Sequence, residues 1–443
     1  GKWIGWERKR GKLHELNLLL RGETDHTFAV VTDGLHPAQA CAENLRITRF
    51  VITLDADSIL PLGAGSRLIG TLAHPLNRAV FDEKTGRLQS GYSLLQPRME
   101  IHPRSVNHSW FTRIFAGDTG LDLYTLAVSD AYNDLFGEGI YVGKGIYDVD
   151  AFMRSVDDYI PENSVLSHDL LEGAMGRAGL VTDITMVEDY PQNYFAQAMR
   201  LHRWIRGDWQ LLPWLFRYHR RGPDLSAMDR WKMFDNLRRS LLAPALMLIL
   251  ILGLLFLPSL AVLWVLLPPV TLMIPMLTSL THSTLQIISG EPVSNALRPL
   301  RWNVLRWILG VVFLPYEAGD ALSAILLTLW RVLVTRRQML QWTTAAQGAQ
   351  LFKLSDQRNT VWLRMSIISI TAFLLTVAVR FMANYDTGAA RAQWVVLPLL
   401  ILWYAAPVIA WWINQPIEDR TIPLNEEQLN LLRRIARRTW GFF

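Results

Sequence analysis

Hydrophobic and polar positions follow two different patterns along the chain. From residue 1 to about residue 239, short apolar runs alternate with charged and polar stretches, whereas long uncharged runs dominate from Ser240 onward. Short alternating runs are typical of an α/β domain, and long uncharged runs are typical of membrane spans. The pattern therefore predicts a globular first half followed by a membrane domain.

Three apolar runs in the first half have the length and composition of β-strands, and three further stretches have helical periodicity. The predicted strands are 49–55, 87–98 and 179–189, and the predicted helices are 64–77, 167–179 and 193–216. This alternation predicts α/β layers, in which a ligand binds beyond the carboxyl ends of the strands.

Three uncharged segments in the second half predict four membrane spans. Residues 240–280 carry no charge over 41 positions. That length suffices for two spans of about 20 residues each, joined by a turn near Pro258 and Ser259. Residues 366–379, extended at both ends, predict a third span. Residues 393–413 have tryptophans at their ends, as interfacial anchors do, and predict a fourth.

The apolar segment 307–330 differs because it contains Pro315, Glu317 and Asp320. Arginine and lysine residues flank both of its ends, so the positive-inside rule places both ends in the cytosol. A segment with both ends on one side cannot cross once. We interpret it as amphipathic helices on the inner membrane surface, with a re-entrant pair as the alternative.

Charge and composition support this topology. The net charge of +5 comes mostly from arginine, much of it beside the apolar runs, which suits a cytoplasmic membrane face better than nucleic acid. No motif for RNA or DNA is present, and the single cysteine, Cys41, excludes an internal disulfide. The chain starts at Gly1 and ends in an arginine-rich helical stretch, so we expect a segment of a longer protein. The predicted divisions are a cytosolic domain (1–238), a transmembrane domain of about four spans with interfacial helices (239–416) and a cytosolic linker (417–443).

Two carboxylates follow the first predicted strand, in the stretch VITLDADS. Side chains alternate along an extended chain, so Asp55 and Asp57 are expected to point the same way. Like charges there repel unless a cation joins them, and Mg²⁺ or Mn²⁺ takes carboxylate oxygens together with a substrate diphosphate. The alternative is a solvated turn in which Asp57 caps the next helix.

A second carboxylate candidate lies in SHDLLEG, residues 167–173. Asp169 has the chemistry of a general base that takes a proton from an attacking hydroxyl group. His168 is its neighbour and would tune or position it. The alternative is that Ser167 or Asp169 is a helix N-cap.

The stretch RLHRWIRGDWQ, residues 200–210, combines arginine with tryptophan. On a helix, Arg203 and Arg206 lie on one face with Gln210 nearby. Arginine suits a diphosphate, and Trp204 offers a flat surface for a sugar. The alternative is a basic, aromatic helix at the membrane surface.

Four glycines occur within nine residues at the start of GEGIYVGKGIYDVDAF, residues 137–152. Glycine lets a backbone approach a ligand closely, and a plain loop is the alternative.

The order of these motifs, followed by membrane spans, resembles the processive family 2 type glycosyltransferases, such as the cellulose and hyaluronan synthases. Asp55 and Asp57 match the D-x-D of that family. Residues 167–169 stand at its T-E-D position, and residues 200–204 stand at its Q-x-x-R-W position with arginine replacing glutamine. The stretch 8–17, RKRGKLHELN, resembles the family's K-x-G-x-x-N segment near the nucleotide.

The sequence differs from the family 2 pattern at the T-E-D and Q-x-x-R-W positions. These differences indicate a resemblance to a narrower family, and that resemblance covers essentially the whole chain. The combination is similar to the cyclic β-1,2-glucan synthases. It consists of SHDLLEG (167–173), HRWIRGDWQ (202–210), FLPYEA (313–318), RRQMLQWTTAAQ (336–347) and LLRRIARRTWGFF (431–443). In that family this block is the membrane-embedded synthase part, followed by glucoamylase-like and phosphorylase-like domains. The resemblance implies a GT-A-like domain, and we expect its first strand to lie before Gly1.

The resemblance also implies an inverting transfer of glucose from UDP-glucose to a protein-linked β-1,2-glucan at a bacterial inner membrane. Asp55 and Asp57 would hold Mg²⁺ or Mn²⁺, and Asp169 would deprotonate the acceptor. The remaining implied residues at the donor diphosphate and the acceptor are Arg203, Trp204, Arg206, Asp208, Gln210 and His168. The partners implied are UDP-glucose, a glucan acceptor, the lipid bilayer and the domains that follow.

Synthesis on the protein itself requires a hydroxyl group that starts the glucan. The tyrosines between the motifs are Tyr124, Tyr132, Tyr141 and Tyr147. We favour Tyr124 because the glycine and aspartate residues around it indicate a loop that could reach the site.

Two other functions stay open at the level of sequence. One is a linear polysaccharide synthase that exports its product through its own spans. The other is a non-catalytic transporter or sugar-binding scaffold. The four clear spans carry no ionisable residue deep within them, which argues against a transporter.

Overall fold

A computed structural model describes most of the chain. It covers residues 6–28, 46–116, 127–157, 159–216, 224–341, 357–417 and 424–441. Tyr124, the favoured starting residue for the glucan, lies outside these described residues.

The first half is built on a mixed five-stranded sheet with the order β1-β6-β5-β7-β2. β5 and β7 are parallel, whereas β1 and β5 run antiparallel to β6, and β2 runs antiparallel to β7. A separate two-stranded ribbon pairs β3 with β4. The strands are β1 Phe50–Thr53, β2 Ser58–Ile59, β3 Val80–Phe81, β4 Leu88–Ser90, β5 Leu94–Ile101, β6 Gly145–Asp148 and β7 Ala178–Glu188.

Helices cover the sheet and make up the described second half. They are α1 Arg8–Arg21, α2 Ala64–Ala73, α3 Pro103–Val106, α4 Trp110–Phe115, α5 Ala127–Phe136, α6 Val149–Val156, α7 Asp169–Met175, α8 Tyr194–Gln210, α9 Leu212–Leu215, α10 Ala227–Ser240, α11 Leu242–Phe256, α12 Ala261–Leu272, α13 Ile274–Ile288, α14 Val293–Ala296, α15 Arg298–Trp330, α16 Gln357–Met382, α17 Thr387–Ile413 and α18 Glu426–Trp440. The α/β class expected from the sequence is confirmed.

Local chemistry explains where several elements begin and end. The Asn193 side chain accepts a hydrogen bond from Ala196 N and so caps α8. Pro213 follows α8, lacks a backbone N–H and separates α8 from the short α9. The predicted strand 87–98 is instead two strands, because Gly91 turns the chain at a φ of 71°. A Cβ atom at Gly91 would lie 2.0 Å from Arg78 O, so only glycine fits that turn.

Three described helices are long and apolar enough to cross a membrane, and up to five spans result if each bent helix pair counts as one. α16 and α17 contain the predicted spans 366–379 and 393–413. The turn predicted near Pro258 is present as a short 3₁₀ segment, Pro258–Leu260, between α11 and α12. The uncharged run 240–280 is therefore broken as expected, but its helices are short and reach membrane length only as bent pairs.

The ambiguous segment 307–330 lies within α15, one continuous helix of 33 residues. The prediction of several amphipathic helices was wrong on this point, because Pro315 lies inside the helix without ending it. Val312 and Phe313 are 0% exposed, so this part of α15 is packed inside the protein. The Trp403 indole of α17 donates to Val311 O at 3.0 Å. The location of α15 relative to the bilayer stays a prediction.

The hydrophobic core is continuous across the two halves. One cluster of buried residues contains Leu95 and Met99 of the sheet together with Phe313 of α15 and Trp403 of α17. The Tyr194 and Phe313 ring centroids are 4.5 Å apart. The first turn of α8 is therefore held directly against the membrane-type helices, which fixes the motif-bearing helix relative to them.

Candidate active site

A cavity of about 390 Å³ lies between the sheet, α7, α8 and α15. Several sequence motifs contribute residues to its wall, among them Asp55 from the D-A-D, Asp169 from SHDLLEG, and Arg203 with Trp204 from RLHRWIRGDWQ. The structure thus brings together groups that are far apart in sequence.

Asp55 lies at the sheet end of the cavity, just beyond β1. Its Oδ1 atom is 2.6 Å from Lys9 Nζ, and its Oδ2 atom is 3.3 Å from Lys144 Nζ. Lys144 also pairs with the buried Glu188 of β7. Burial favours the neutral form of Asp55, but the two lysines outweigh burial and lower the pKa of Asp55 below its ordinary value. Asp55 is therefore ionised at neutral pH.

Asp57 follows Asp55 through a turn of the backbone. The chain turns after β1, with Ser58 N donating to Asp55 O at 3.0 Å, so this segment is not extended. The extended backbone on which the expectation of equally directed carboxylates rested is therefore absent here, and the shared direction stays a prediction. The Asp57 side chain is exposed, yet its charge helps to raise the pKa of Lys144, so it lies close to the same site. Asp57 does not cap the next helix, because Gly63 holds the N-cap position of α2.

Asp169 is the first residue of α7 and faces the cavity. Its side chain is 33% exposed, and the adjoining backbone is that of Gly143, at a φ of 81°. A Cβ atom at Gly143 would lie 2.5 Å from Asp169 Oδ1. Burial raises the pKa of Asp169, and the charge of His168 opposes that rise. A carboxylate with a raised pKa is a stronger proton acceptor once ionised.

His168 links two carboxylates of α7. Its Nδ1 atom is 3.0 Å from Glu172 Oε1 and 3.5 Å from Asp169 Oδ1. Burial disfavours the charged ring, but Glu172 and Asp169 outweigh burial and raise the pKa of His168 to about 9. The ring is therefore a cation at neutral pH, and it favours the ionised form of Asp169. No cap hydrogen bond from the His168 side chain is present.

Among the candidate site residues on α8, Arg203, Trp204 and Asp208 line the cavity. Asp169 and Asp55 both favour the charged form of Arg203, although burial lowers its pKa overall. The Arg200 guanidinium lies 4.8 Å from the Trp204 ring centroid. Asn236 of α10 donates to Asp208 Oδ1 at 3.0 Å and fixes that carboxylate.

Arg206 and Gln210 have different partners from those expected. Arg206 Nη1 donates to Gln341 O at 2.9 Å, and Gln210 Nε2 donates to Met339 O at 3.0 Å. Both side chains thereby hold the segment that follows α15, and neither lines the cavity. Side chains three positions apart on a helix point in similar but not identical directions. Arg203 therefore lines the cavity, whereas Arg206 contacts the segment after α15.

The glycine-rich stretch 137–152 makes close contacts within the protein. Gly143 approaches Asp169, and a Cβ atom at Gly145 would lie 2.1 Å from Leu95 O of the neighbouring strand. Gly143 O also accepts a hydrogen bond from Lys9 Nζ at 2.7 Å. These glycines therefore allow the backbone to approach the candidate base and the sheet.

Asp55 and Asp57 fit a hard divalent cation by the chemistry of their donors. Such ions take one or two carboxylates and complete their coordination with water and substrate phosphate oxygens. A cation at Asp55 would take the position that an ammonium group now occupies at one carboxylate oxygen. Among the described residues, His168, Asp169 and Glu172 also offer ligand atoms within 4.8 Å of one another.

Several residues of the site were not identified from the sequence. Lys144 and Glu188 are far apart in the chain, and they meet across the sheet although β5 separates β6 from β7. The only available signal for Lys144 was its place between two glycines. Glu317 and Asp320 of α15 also line the cavity, although their sequence context indicated only an interrupted apolar segment.

Comparison with known proteins gives one clear relationship. No protein-family model matches the chain. The chain is 39% identical over 452 aligned residues to the protein named cyclic beta-(1,2)-glucan synthase NdvB of Rhizobium meliloti (strain 1021). The alignment covers 100% of this chain and 15% of that protein. The chain therefore spans about one seventh of the curated relative that it matches.

Proposed function

The chain belongs with the cyclic β-(1,2)-glucan synthases, matching one segment of that much longer protein, and from this relationship we propose that it is their glucosyltransferase part. In this proposal it transfers glucose from UDP-glucose, with inversion, to a growing protein-linked β-1,2-glucan. The mixed sheet β1-β6-β5-β7 would be the core of a GT-A-like domain. The single observation that carries the proposal is the cavity in which Asp55, Asp169 and Arg203 converge.

Asp169 would act as the general base in this reaction. Its carboxylate faces the cavity, and partial burial raises its pKa, so it can take the proton of an acceptor hydroxyl group. The deprotonated oxygen would attack the anomeric carbon from the face opposite the diphosphate. An α-linked donor would thereby give a β-linkage, by the geometry of inverting sugar transfer.

Positive side chains near Asp55 would stabilise the departing diphosphate. Lys9 and Lys144 both have ammonium groups within 3.3 Å of Asp55, and Arg203 lines the same cavity. Fixed cations at the position where negative charge develops lower the barrier to departure of the leaving group. Trp204 would provide an apolar surface for the acceptor sugar.

A divalent cation fits the proposal at Asp55 and Asp57. Mg²⁺ or Mn²⁺ bound there would neutralise charge on the diphosphate. Lys9 and Lys144 contribute positive charge at the same place, so the cation would share that task with them.

The direct test uses the purified chain in detergent with radiolabelled UDP-glucose and Mn²⁺. We expect label in the protein band, because the glucan would grow on the protein. Asp169→Asn should reduce labelling by at least about a hundredfold, since a general base contributes 10²- to 10⁴-fold. Asp57→Ala should also reduce labelling and weaken its dependence on Mn²⁺.

Asp183→Asn is the matched control, because this carboxylate is 69% exposed and pairs with the exposed Arg67. It should label like the unsubstituted chain. Equal labelling of Asp169→Asn and Asp183→Asn would refute the assigned base. If the Tyr124→Phe variant still carries covalent glucan, Tyr124 is not the starting residue.

A linear polysaccharide synthase is the second candidate, favoured by one feature of the structure. The cavity reaches α15, a helix with membrane length. An exported linear product would appear outside sealed vesicles, whereas the proposed protein-linked glucan would stay on the side of UDP-glucose. The main proposal, a cyclic glucan synthase, also includes insertion in the bacterial inner membrane. It further includes cooperation with glucoamylase-like and phosphorylase-like domains.

A further inference from the structure

The cavity continues past Asp169 toward the membrane-type helices. We call this part the α15 end of the cavity and define it by Tyr316, Glu317, Asp320 and Ala321, which all line it. Asp55 and Lys144 line the opposite, sheet end. The motif FLPYEA supplies Tyr316 and Glu317 but has no role in the chemistry described above.

Glu317 and Asp320 are unusual because they place two carboxyl groups within the largely apolar helix α15. Their neighbours Tyr316 and Ala318 are only 8% and 7% exposed. In the part of the chain that the structure describes, neither carboxylate forms an ion pair within 4.0 Å of a basic group. Glu317 accepts one hydrogen bond, from Tyr194 OH at 3.3 Å. The charge of Arg364 in α16 acts on Asp320, whereas Tyr194 is the hydrogen-bond donor to Glu317. A buried carboxyl group with so few partners is unfavourable for stability alone.

The wall around these carboxylates combines flat apolar and polar groups. Trp204 and Leu201 of α8 provide apolar surface, and Asp208 and Asn236 add polar atoms. A sugar presents C–H groups on its ring faces and hydroxyl groups at its edges. Such a wall can contact both, and a carboxylate accepts strong, charge-assisted hydrogen bonds from hydroxyl groups.

The order of groups along the cavity sets the direction of the acceptor. The sheet end carries the cations suited to a diphosphate, and Asp169 adjoins it, because Asp169 lies against Gly143 and the Gly143 carbonyl oxygen accepts a hydrogen bond from Lys9. In a transfer with inversion, acceptor and leaving group lie on opposite sides of the reacting carbon. The acceptor is therefore expected on the side away from Lys144.

We propose that the α15 end of the cavity is an acceptor subsite, in which Glu317 and Asp320 accept hydrogen bonds from hydroxyl groups of the growing glucan. This inference rests on the proposed function, since it names where the acceptor of that reaction binds. The two carboxylates determine the position of the terminal glucose units before Asp169 removes the proton. They act on acceptor binding and leave donor binding to the sheet end.

The test measures binding of short β-1,2-glucan oligosaccharides and of UDP to the purified chain in lipid nanodiscs by isothermal titration calorimetry. Glu317→Gln and Asp320→Asn should each weaken oligosaccharide binding by about tenfold, the value expected for loss of one charged hydrogen bond. UDP binding should be unchanged in both variants. Thermal unfolding of each variant establishes that it is folded.

Tyr194→Phe is the matched control, because it removes the hydroxyl group that donates to Glu317 and keeps the ring. It should bind the oligosaccharide within about twofold of the unsubstituted chain. An equal loss in Tyr194→Phe and Glu317→Gln would overturn the subsite and leave Glu317 a structural role in holding α8. Three other outcomes would also overturn the subsite. They are unchanged oligosaccharide binding in both carboxylate variants, a parallel loss of UDP binding in those variants, and no oligosaccharide binding by the unsubstituted chain.

The same material separates this inference from the proposed function. If the unsubstituted chain transfers glucose while both carboxylate variants bind and extend the oligosaccharide normally, the subsite fails and the transferase stands. If the oligosaccharide binds in a carboxylate-dependent way but no glucose is transferred from UDP-glucose, the subsite stands and the transferase fails.

Discussion

At the scale of single residues, the contact between Gly143 and Asp169 constrains the candidate base. Gly143 has a left-handed backbone, and its missing side chain leaves the space that the Asp169 carboxylate occupies. The position of the candidate base thus depends on a residue that has no functional group.

Gly143→Ala should reduce glucose transfer by about a hundredfold, because a displacement of about 1 Å at a reacting group has that effect. It should also destabilise the fold by about 1–2 kcal/mol through the left-handed backbone. Gly63→Ala separates the two effects, since Gly63 has a φ of 78° with nothing within 4 Å of an added Cβ atom. Gly63→Ala should lose similar stability and keep transfer activity. Equal activity of both variants in the labelling assay would contradict this explanation.

The pKa of His168 predicts how stability depends on pH. Since the folded-state value of about 9 lies above the ordinary 6.5, the His168 cation stabilises the folded protein fully below about pH 6.5. That contribution, up to about 3 kcal/mol, is lost as the pH rises through 9.

His168→Gln lacks this titration and serves as the reference. The melting temperature of the unsubstituted chain should therefore fall more steeply between pH 7 and pH 10 than that of His168→Gln. Parallel curves for the two proteins would show that His168 is not paired with Glu172 and Asp169 in solution.

The sequence correctly predicted the helices that carry Asp169 and Trp204, whereas the roles of the two residues stay predictions. Asp169 begins a helix and Trp204 lies within one, so their spacing to neighbours follows from helical geometry. The partners of Asp55 did not follow, because Lys9 precedes it by 46 residues and Lys144 comes from a different strand region. Contacts of that kind depend on sheet order, which local sequence does not determine.

At the scale of elements, α8 joins the cavity to the segment after α15. Gln210 at the end of α8 accepts a hydrogen bond from Leu166 N at 2.6 Å and donates to Met339 O. Arg206 Nη1 donates to Gln341 O. Each of these side chains holds the backbone of another segment against α8.

Arg206→Ala should release the segment around Met339, so that the backbone at the already exposed Arg336–Arg337 pair fits the trypsin active site more readily. We expect cleavage there at least about fivefold faster, because loss of a hydrogen bond from a charged group corresponds to about 1.5–3 kcal/mol. Arg67→Ala is the control, since Arg67 forms an exposed ion pair with Asp183 of little expected weight. Cleavage at the same rate in both variants would show that Arg206 does not hold this segment in solution.

α15 illustrates why element type was easier to predict than packing. Its apolar composition was visible in the sequence, and Pro315, Glu317 and Asp320 suggested breaks. The structure instead keeps a single helix, because surrounding helices bury Val312 and Phe313 completely and its carboxylates face the cavity. An acidic residue in an apolar run therefore marked a cavity wall, and that cavity became apparent only when α8 and α15 were placed together.

At the scale of the whole molecule, the globular part and the membrane-type helices share one core. Phe195 of α8 lies 6.1 Å from Tyr316 of α15 between ring centroids, and Arg306 Nε donates to Ile114 O at 2.7 Å. Trp110 of α4 stacks on Trp412 of α17 at 5.5 Å. The domain boundary at 238 stays a prediction, and these contacts indicate that the part before it depends on the part after it.

A chain that ends at Ser240 tests this dependence. It would expose the buried faces of Phe111, Tyr194 and Phe195, all at most 6% exposed in the full chain. Burying one such side chain contributes about 1.5–3 kcal/mol, so exposing several would remove a large part of a typical domain stability of about 5–15 kcal/mol. We expect the shortened chain to show no cooperative thermal transition and no UDP binding by calorimetry, whereas the full chain in detergent shows both. A cooperative transition with UDP binding in the shortened chain would instead establish that the donor end of the site folds independently of α15, and the membrane-type helices would then serve the acceptor alone.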